Sequence, residues 1–269
     1  MAYSVALFAI LSAMSWNPTQ YLKFASERLR PALDLLARIP AVAPETVVDF
    51  GCGTGNLTPL ILRRWPNARL TGVDGSREML AKARVDYPHT SFIQADVGTW
   101  RPPQPVDVLY SNAALHWLDE HEVLIPALLA AVKPGGWLAI QMPSNFAEPT
   151  HICVIEAIEQ GPCRAKLEPH LRRRPVAEPR RYWELLHDKV TALEIWETQY
   201  LQVLKGENPV AEFIIGSWLK QFLDRLQESE RSVFETDYRA RVRSAYPPER
   251  NGHTLFPFRR LFIVAQRAG

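Results

Sequence analysis

The stretch VVDFGCGTGNLT, residues 47–58, constrains the fold more than any other part of this chain. Val47, Val48 and Phe50 read as the end of a buried strand, glycines follow at 51, 53 and 55, and Asn56 to Leu60 continue in helix-like sequence. A strand that turns through glycine into a helix is the first half of a βαβ unit, and the missing side chains let the backbone pass close to a ligand. A P-loop would end in Gly-Lys-Ser/Thr, which is absent, and a dinucleotide fingerprint would need glycine at the position held by Asn56. Asp49, two residues before the first glycine, would repel a pyrophosphate and suit a cation. The loop favours a ligand with positive charge and no phosphate.

Beyond it, apolar runs alternate with helical patterns. RLTGVD (69–74), TSFIQAD (90–96), VDVLYSNA (106–113) and GWLAIQMP (136–143) read as strands, while SREMLAKARVDY and HEVLIPALLAAVK carry apolar residues at helical spacing. KPGG at 133–136 supplies the stop signals for the second of those helices. Repeated βαβ units give a parallel sheet with helices on both faces, a doubly wound α/β fold. The rhythm breaks after Pro143. Residues 144–189 are rich in Pro and Arg, 207–245 read as two or three helices, and TALEIWETQYLQVL (191–204) and FRRLFIVAQR (258–267) read as an antiparallel strand pair. The expected organisation is an N-terminal extension over 1–15, a ligand-binding α/β core over 16–143, and helical substrate-lid insertions over 144–269 that also carry the last two strands of the same sheet.

With 269 residues, 47% of them hydrophobic and 22% charged, the chain suffices for one large domain bearing a substantial insertion. A net charge of +2 is too small for bulk attraction to nucleic acid, and the basic excess lies in the second half, with 19 basic against 16 acidic residues over 151–269. Cys52, Cys153 and Cys163 form no CxxC and cannot all pair, which fits a reducing cytoplasm. The apolar start from Val5 to Leu11 is too short to span a bilayer and has no basic residue before Lys23, so neither membrane span nor signal peptide is expected. No metal site is expected either, because His116 and His121 stand five apart and no other His/Cys pair has ligand spacing.

In a doubly wound sheet the ligand lies outside the carboxyl ends of the strands, where the strand order reverses. Asp49 with the glycines, Asp74, Asp96 and Asn112 stand at four successive strand ends. Any one could be a solvated cap; the set marks a site. Asp74 follows Asp49 by 25 residues, the spacing at which an acid accepts both hydroxyls of a ribose. Asp96 suits the exocyclic amine of adenine. Ribose and adenine without phosphate, plus a cation beside Asp49, describe S-adenosylmethionine. Gly51, Cys52, Gly53 and Gly55 in the loop, Gly75 and Met79 after Asp74, and Val97 after Asp96 complete the candidate cofactor set, with Cys52 as a small space-filling side chain rather than a reactive thiol.

VVDFGCGTGNLT, LTGVDGSREML, FIQADVGTW and LYSNAALHWL resemble the ordered motifs of class I S-adenosylmethionine-dependent methyltransferases. WNPTQYLKFASERLRPALDLLARIP (16–40), QMPSNFAEPTH (141–151) and FPFRRLFIVA (256–265) narrow the resemblance to the trans-aconitate 2-methyltransferase family, over nearly the whole chain from Trp16. It implies a seven-stranded, mostly parallel, Rossmann-like sheet ending in an antiparallel pair, a cytoplasmic enzyme, and methylation of one carboxylate of trans-aconitate to a monoester. Two departures stand out. The family pattern has Leu-Arg-Pro where this chain reads WLKQFL, which puts Lys220 near that Arg, and Gln-Trp where it has His116-Trp117. Lys does not reproduce a bidentate guanidinium fork, so a different small-molecule or acyl carboxylate is the alternative acceptor.

A carboxylate is ionised at neutral pH and needs no general base to be methylated. His116 and Trp117, after the fourth strand, are expected beside the reacting groups, His116 in a shape or hydrogen-bonding role rather than as a base. A tricarboxylate needs fixed cations, and Arg28, Lys220 and Arg260 are the expected substrate ligands. The partner is thus a small carboxylic acid. Nucleic-acid N-methyltransferases would carry Asn/Asp-Pro-Pro-aromatic at the strand end where this chain has Ser111-Asn112-Ala113-Ala114.

Overall fold

A computed structural model describes residues 29–172, 175–216 and 218–269; the expected extension over 1–15 and Arg28 lie outside the described residues. Helix α1 (Arg30–Arg38) carries Pro31 in its first turn, where a missing N–H leaves no bond unmade, and buries Ala32, Leu33, Leu35 and Leu36. The βα alternation then follows as β1 (Thr46–Phe50), α2 (Thr58–Arg64), β2 (Arg69–Asp74), α3 (Arg77–Asp86), β3 (Ser91–Gln94), β4 (Val106–Asn112), α4 (His121–Ala130) and β5 (Val132–Pro143). With β6 (Val190–Lys205) and β7 (His253–Arg267) these strands form one seven-stranded sheet in the order β3-β2-β1-β4-β5-β7-β6.

The first five strands pair in parallel. Their centres are near-continuous apolar runs, as strands covered on both faces require: Val47, Val48 and Phe50 in β1, Val108 to Tyr110 in β4, and Leu138 to Ile140 in β5 are all buried. The order reverses between β1 and β4, which is where such a sheet opens a crevice. β7 lies antiparallel to β5: the Ser144 N–H donates to the Arg259 carbonyl near one end, and the Gln266 amide donates to the Gly135 carbonyl near the other. β6 closes the sheet antiparallel to β7, with the Ala268 N–H donating to the Lys189 carbonyl.

One local expectation is corrected. KPGG does not terminate a helix; α4 already stops at Ala130 and the segment lies inside β5. Val132 pairs with Val106, but Val108 pairs with Trp137, so β5 carries extra residues there as a bulge. Gly135 takes a φ of +76°, and a Cβ on Gly136 would come within 2.7 Å of the Asp107 carbonyl oxygen. Asp96 lies two residues beyond β3 rather than at its end, and residues 95–105 cross to β4 without a helix.

The chain divides into two compact units. Among the described residues, the first takes those up to Met142 with Ala177–Trp196 and Leu261–Gly269; the second takes those within Pro143–Val176 and Glu197–Arg260. The first unit thus includes helix α7 (Pro179–Leu186), whose Tyr182 hydroxyl lies 2.8 Å from His121 Nδ1 at the start of α4. The second contains α5 (Pro149–Gln160), α6 (Arg164–Leu167), α8 (Pro209–Ile215), α9 (Lys220–Leu223) and α10 (Glu228–Ala245). Within it α10 packs on α5 and α8, and Arg241 of α10 donates to Glu156 at 3.1 Å and to Gln160 at 2.9 Å on α5. Among the described residues no helix is long and apolar enough to cross a membrane.

Candidate active site

The glycine loop is held by backbone bonds and by one carboxylate. The N–H groups of Gly51 and Cys52 both donate to the Val73 carbonyl of β2, at 2.8 and 3.0 Å. Gly51, Gly53 and Gly55 have φ of +81°, +55° and +72°, in the left-handed region. Gly51 is further fixed by space, since a Cβ there would lie 2.2 Å from the Ala114 Cβ. Asp74 clamps the far side of the loop: Oδ2 accepts the Gly53 N–H at 2.9 Å and Oδ1 accepts the Ser76 N–H at 2.8 Å. Ser76 in turn caps α3 by accepting the Met79 N–H. Met79 is exposed and leans towards Gly53, 3.6 Å from where a Cβ would stand, while Gly75 runs beside the Ala95 carbonyl.

Cys52 points away from the loop surface into a cluster with Leu80, Ala83 and Phe92. Burial, then the charges of Asp49 and Asp74, push its thiol well above the ordinary range, so it packs rather than reacts. Only its backbone is available to a ligand.

Asp49 is buried, and its Oδ2 has no hydrogen-bond partner among the described residues. Burial, and next the Asp74 carboxylate, raise its pKa to about 7. A buried carboxylate left with an open oxygen is costly unless something completes it, and a cation does so best. Asp96 is exposed; its Oδ1 accepts the Gly98 N–H at 2.8 Å, and Val97 beside it is half-buried. At the end of β4, Ser111 donates to the Phe50 carbonyl at 2.8 Å, and Asn112 Oδ1 is buried without a partner among the described residues. Ala113 then takes φ +52°, its N–H donating to the Gln141 carbonyl at 2.9 Å. That turn leads into a 3₁₀ segment, Leu115–Trp117, with His116 buried and Trp117 largely exposed, their ring centroids 4.8 Å apart.

The strand register thus brings the glycine loop, Asp49, Asp74, Gly75, Met79, Asp96, Val97, Asn112, His116 and Trp117 to the carboxyl ends of four adjacent strands around the order reversal. The acid-binding candidates fare differently. Lys220 projects into solvent and holds both carboxylate oxygens of Asp224, at 2.8 and 2.7 Å. Arg260 is half-buried, its guanidinium 3.6 Å above the Phe258 ring.

Sequence reasoning passed over four buried polar residues. In the second unit His151 lies between Phe146 and Trp218, 4.8 and 5.3 Å between ring centroids, and burial followed by the Arg260 charge lowers its pKa to about 4. Asn145 Oδ1 and both amide atoms of Gln202 are buried without partners among the described residues. In the first unit Gln141 of β5 is 1% exposed. The available signal was a lone amide in an apolar strand, in GWLAIQMP and again in YLQVL.

Comparison with known proteins agrees with this geometry. Residues 47–136 match the family described as a methyltransferase domain. A trans-aconitate 2-methyltransferase of Azoarcus sp. (strain BH72) is 45% identical over 94% of this chain and 99% of its own length. One from Rhodopseudomonas palustris (strain BisB18) is 44% identical over 93% and 98%. Among solved structures, the YcgJ protein of Bacillus subtilis aligns with a TM-score of 0.55 at 14% identity, covering 89% of this chain and 98% of that one. A Haemonchus contortus phosphoethanolamine N-methyltransferase 2 in complex with S-adenosyl-L-methionine aligns with a TM-score of 0.54 at 16% identity, covering 89% and 53%, and these two likenesses support the fold. A glycine loop clamped by a strand-end acid, an open buried carboxylate beside it, and full-length relatives at this identity lead to one assignment: the chain belongs to the trans-aconitate 2-methyltransferase family of S-adenosylmethionine-dependent enzymes.

Proposed function

We propose that the protein transfers a methyl group from S-adenosylmethionine to one carboxylate of trans-aconitate, giving the monomethyl ester, in the cytoplasm. The observation that carries this reading is the open Oδ2 of Asp49, buried behind a glycine loop that Ala114 and Asp74 hold in place. A cationic amino or sulfonium group satisfies that oxygen where a phosphate would be repelled. Asp74 keeps lone pairs free beyond its two backbone bonds for the ribose hydroxyls, and the exposed Asp96 is available to the exocyclic amine of adenine. Gly75, Met79 and Val97 border the nucleoside. When bound, S-adenosylmethionine supplies an electrophilic methyl group on a charged sulfur.

The acceptor arrives as an anion, so the chain's task is to position it and keep water out. His116 and Trp117 are assigned to shaping that space; the buried His116 imidazole contributes form and a hydrogen bond, not proton removal. Arg28, Lys220 and Arg260 are the cations proposed to hold the other carboxylates; Lys220 shares an exposed ion pair with Asp224, and the Arg260 guanidinium lies over the Phe258 ring.

An acceptor screen with methyl-labelled S-adenosylmethionine tests the reading. Trans-aconitate should exceed fumarate and itaconate in kcat/KM by about 10- to 100-fold, because removing a ligand charge leaves a cation unpaired. Faster esterification of a long-chain monocarboxylate would transfer the assignment to that acid.

A further inference from the structure

Gln141 stands near the end of β5 in register with Asn112 of β4. One strand over, Asp49 of β1 is in register with Tyr110, two residues before Asn112. In-register residues of parallel strands, and residues two apart along one strand, share a face of the sheet. Asp49, Asn112 and Gln141 therefore project from one face, at the carboxyl ends of three adjacent strands.

Each carries a buried polar atom with no hydrogen-bond partner among the described residues: Asp49 Oδ2, Asn112 Oδ1 and Gln141 Nε2. Native interiors satisfy such atoms almost without exception, and three on one face mark a place where a ligand completes them. Their chemistry divides. Asp49 and Asn112 offer acceptors; Gln141 offers a donor, 1% exposed and not bonded to Asn112 beside it. In the sheet order Gln141 lies two strands from β1, on the side away from β2 and β3, whose ends supply Asp74 and Asp96. A buried amide donor on that side suits an anionic oxygen rather than the nucleoside.

We infer that Gln141 is an acceptor-binding residue, its side-chain N–H₂ donating to a carboxylate oxygen of the acid to be methylated. The inference rests on the methyltransferase reading and deepens it. An amide is the appropriate group: a neutral donor fixes one carboxylate in orientation without forming the tight ion pair that would blunt the oxygen's nucleophilicity.

The shared chemistry is a carboxylate, and S-adenosylmethionine has one of its own, so the test must separate the two. Gln141→Met removes the donor at nearly constant volume, and Gln141→Asn keeps the amide while withdrawing it by one methylene. Steady-state kinetics with trans-aconitate and calorimetry with S-adenosylhomocysteine are measured for both, after thermal melts establish folding; Gln141→Asn carries the test if Gln141→Met does not fold. The expected result is a KM for the acid raised about 10- to 100-fold, with S-adenosylhomocysteine affinity within about twofold of wild type. An unchanged KM overturns the inference, and a weakened S-adenosylhomocysteine with unchanged acid KM reassigns Gln141 to the cofactor. If the wild type esterifies no acid of the panel, the functional reading falls and this inference with it; if it esterifies another acid, the same split decides on that acid.

Discussion

At the residue scale, the proposed role of Asp49 would tie stability to ligand binding through one proton. Its pKa is raised to about 7, while an unfolded Asp titrates near 3.9. Between about pH 4 and 7 the native state therefore binds more protons than the unfolded one, and this group makes unliganded stability fall as pH rises through that window. A cationic ligand acts oppositely, since its affinity grows as Asp49 ionises. Comparing wild type with Asp49→Asn cancels the other titrating groups. Without ligand the variant should melt higher than wild type at pH 8 and not at pH 4, whereas S-adenosylmethionine should bind it about 10- to 100-fold more weakly at pH 8. Equal calorimetric affinity in the two proteins would separate Asp49 from the ligand's cation. Gly51 makes a second case, steric instead of electrostatic. Gly51→Ala should lower both Tm and cofactor affinity because its Cβ would overlap that of Ala114, and Ala114→Gly should restore part of the loss. The restoration is incomplete, because φ +81° still penalises alanine. If Ala114→Gly restores nothing, the φ penalty alone explains the glycine.

At the scale of elements, the loop and α3 act as one piece because Asp74 bonds to both. Asp74→Ala should weaken S-adenosylmethionine by more than the loss of ribose contacts alone, and amide exchange at Gly53 and Ser76 should accelerate even without ligand. Unchanged exchange would mean that Asp74 serves only the ligand. The clamp itself was not legible in the sequence: the spacing from Asp49 gives reason to expect a ribose acid at Asp74, but nothing local marks a carboxylate that reaches back 21 residues to the Gly53 N–H. The βα alternation was legible because apolar runs and helical spacing are local patterns. KPGG was misread because Pro and Gly signal equally the end of a helix and a bulge in a strand, and only pairing with β4 decides between them. Cys52 lay inside the motif, yet its side chain serves the core, since the turn at Gly51 and Gly53 aims it at Leu80 and Phe92. Gln141 and Asn145 were hidden by the same limit: a buried amide shows its open valence only when its neighbours in space are known.

At the scale of the whole molecule, an ionised nucleophile and a buried imidazole predict a simple rate law. At saturating substrates kcat should stay flat from pH 6 to 8, and His116→Gln should keep kcat within about tenfold of wild type; a loss of about a thousandfold would make His116 a base. The preference for a tricarboxylate should also narrow as salt screens the encounter. The sheet order bears on biosynthesis as well. β5 ends at Pro143, yet its partner β7 begins only at His253, so residues 144–252 are made while an apolar strand waits with an unpaired edge. At common synthesis speeds the wait lasts roughly 5–20 s, far longer than hairpin closure. An unpaired edge is a template for pairing with another chain, so until β7 is made the growing chain exposes β5 to pairing with other half-made copies on neighbouring ribosomes.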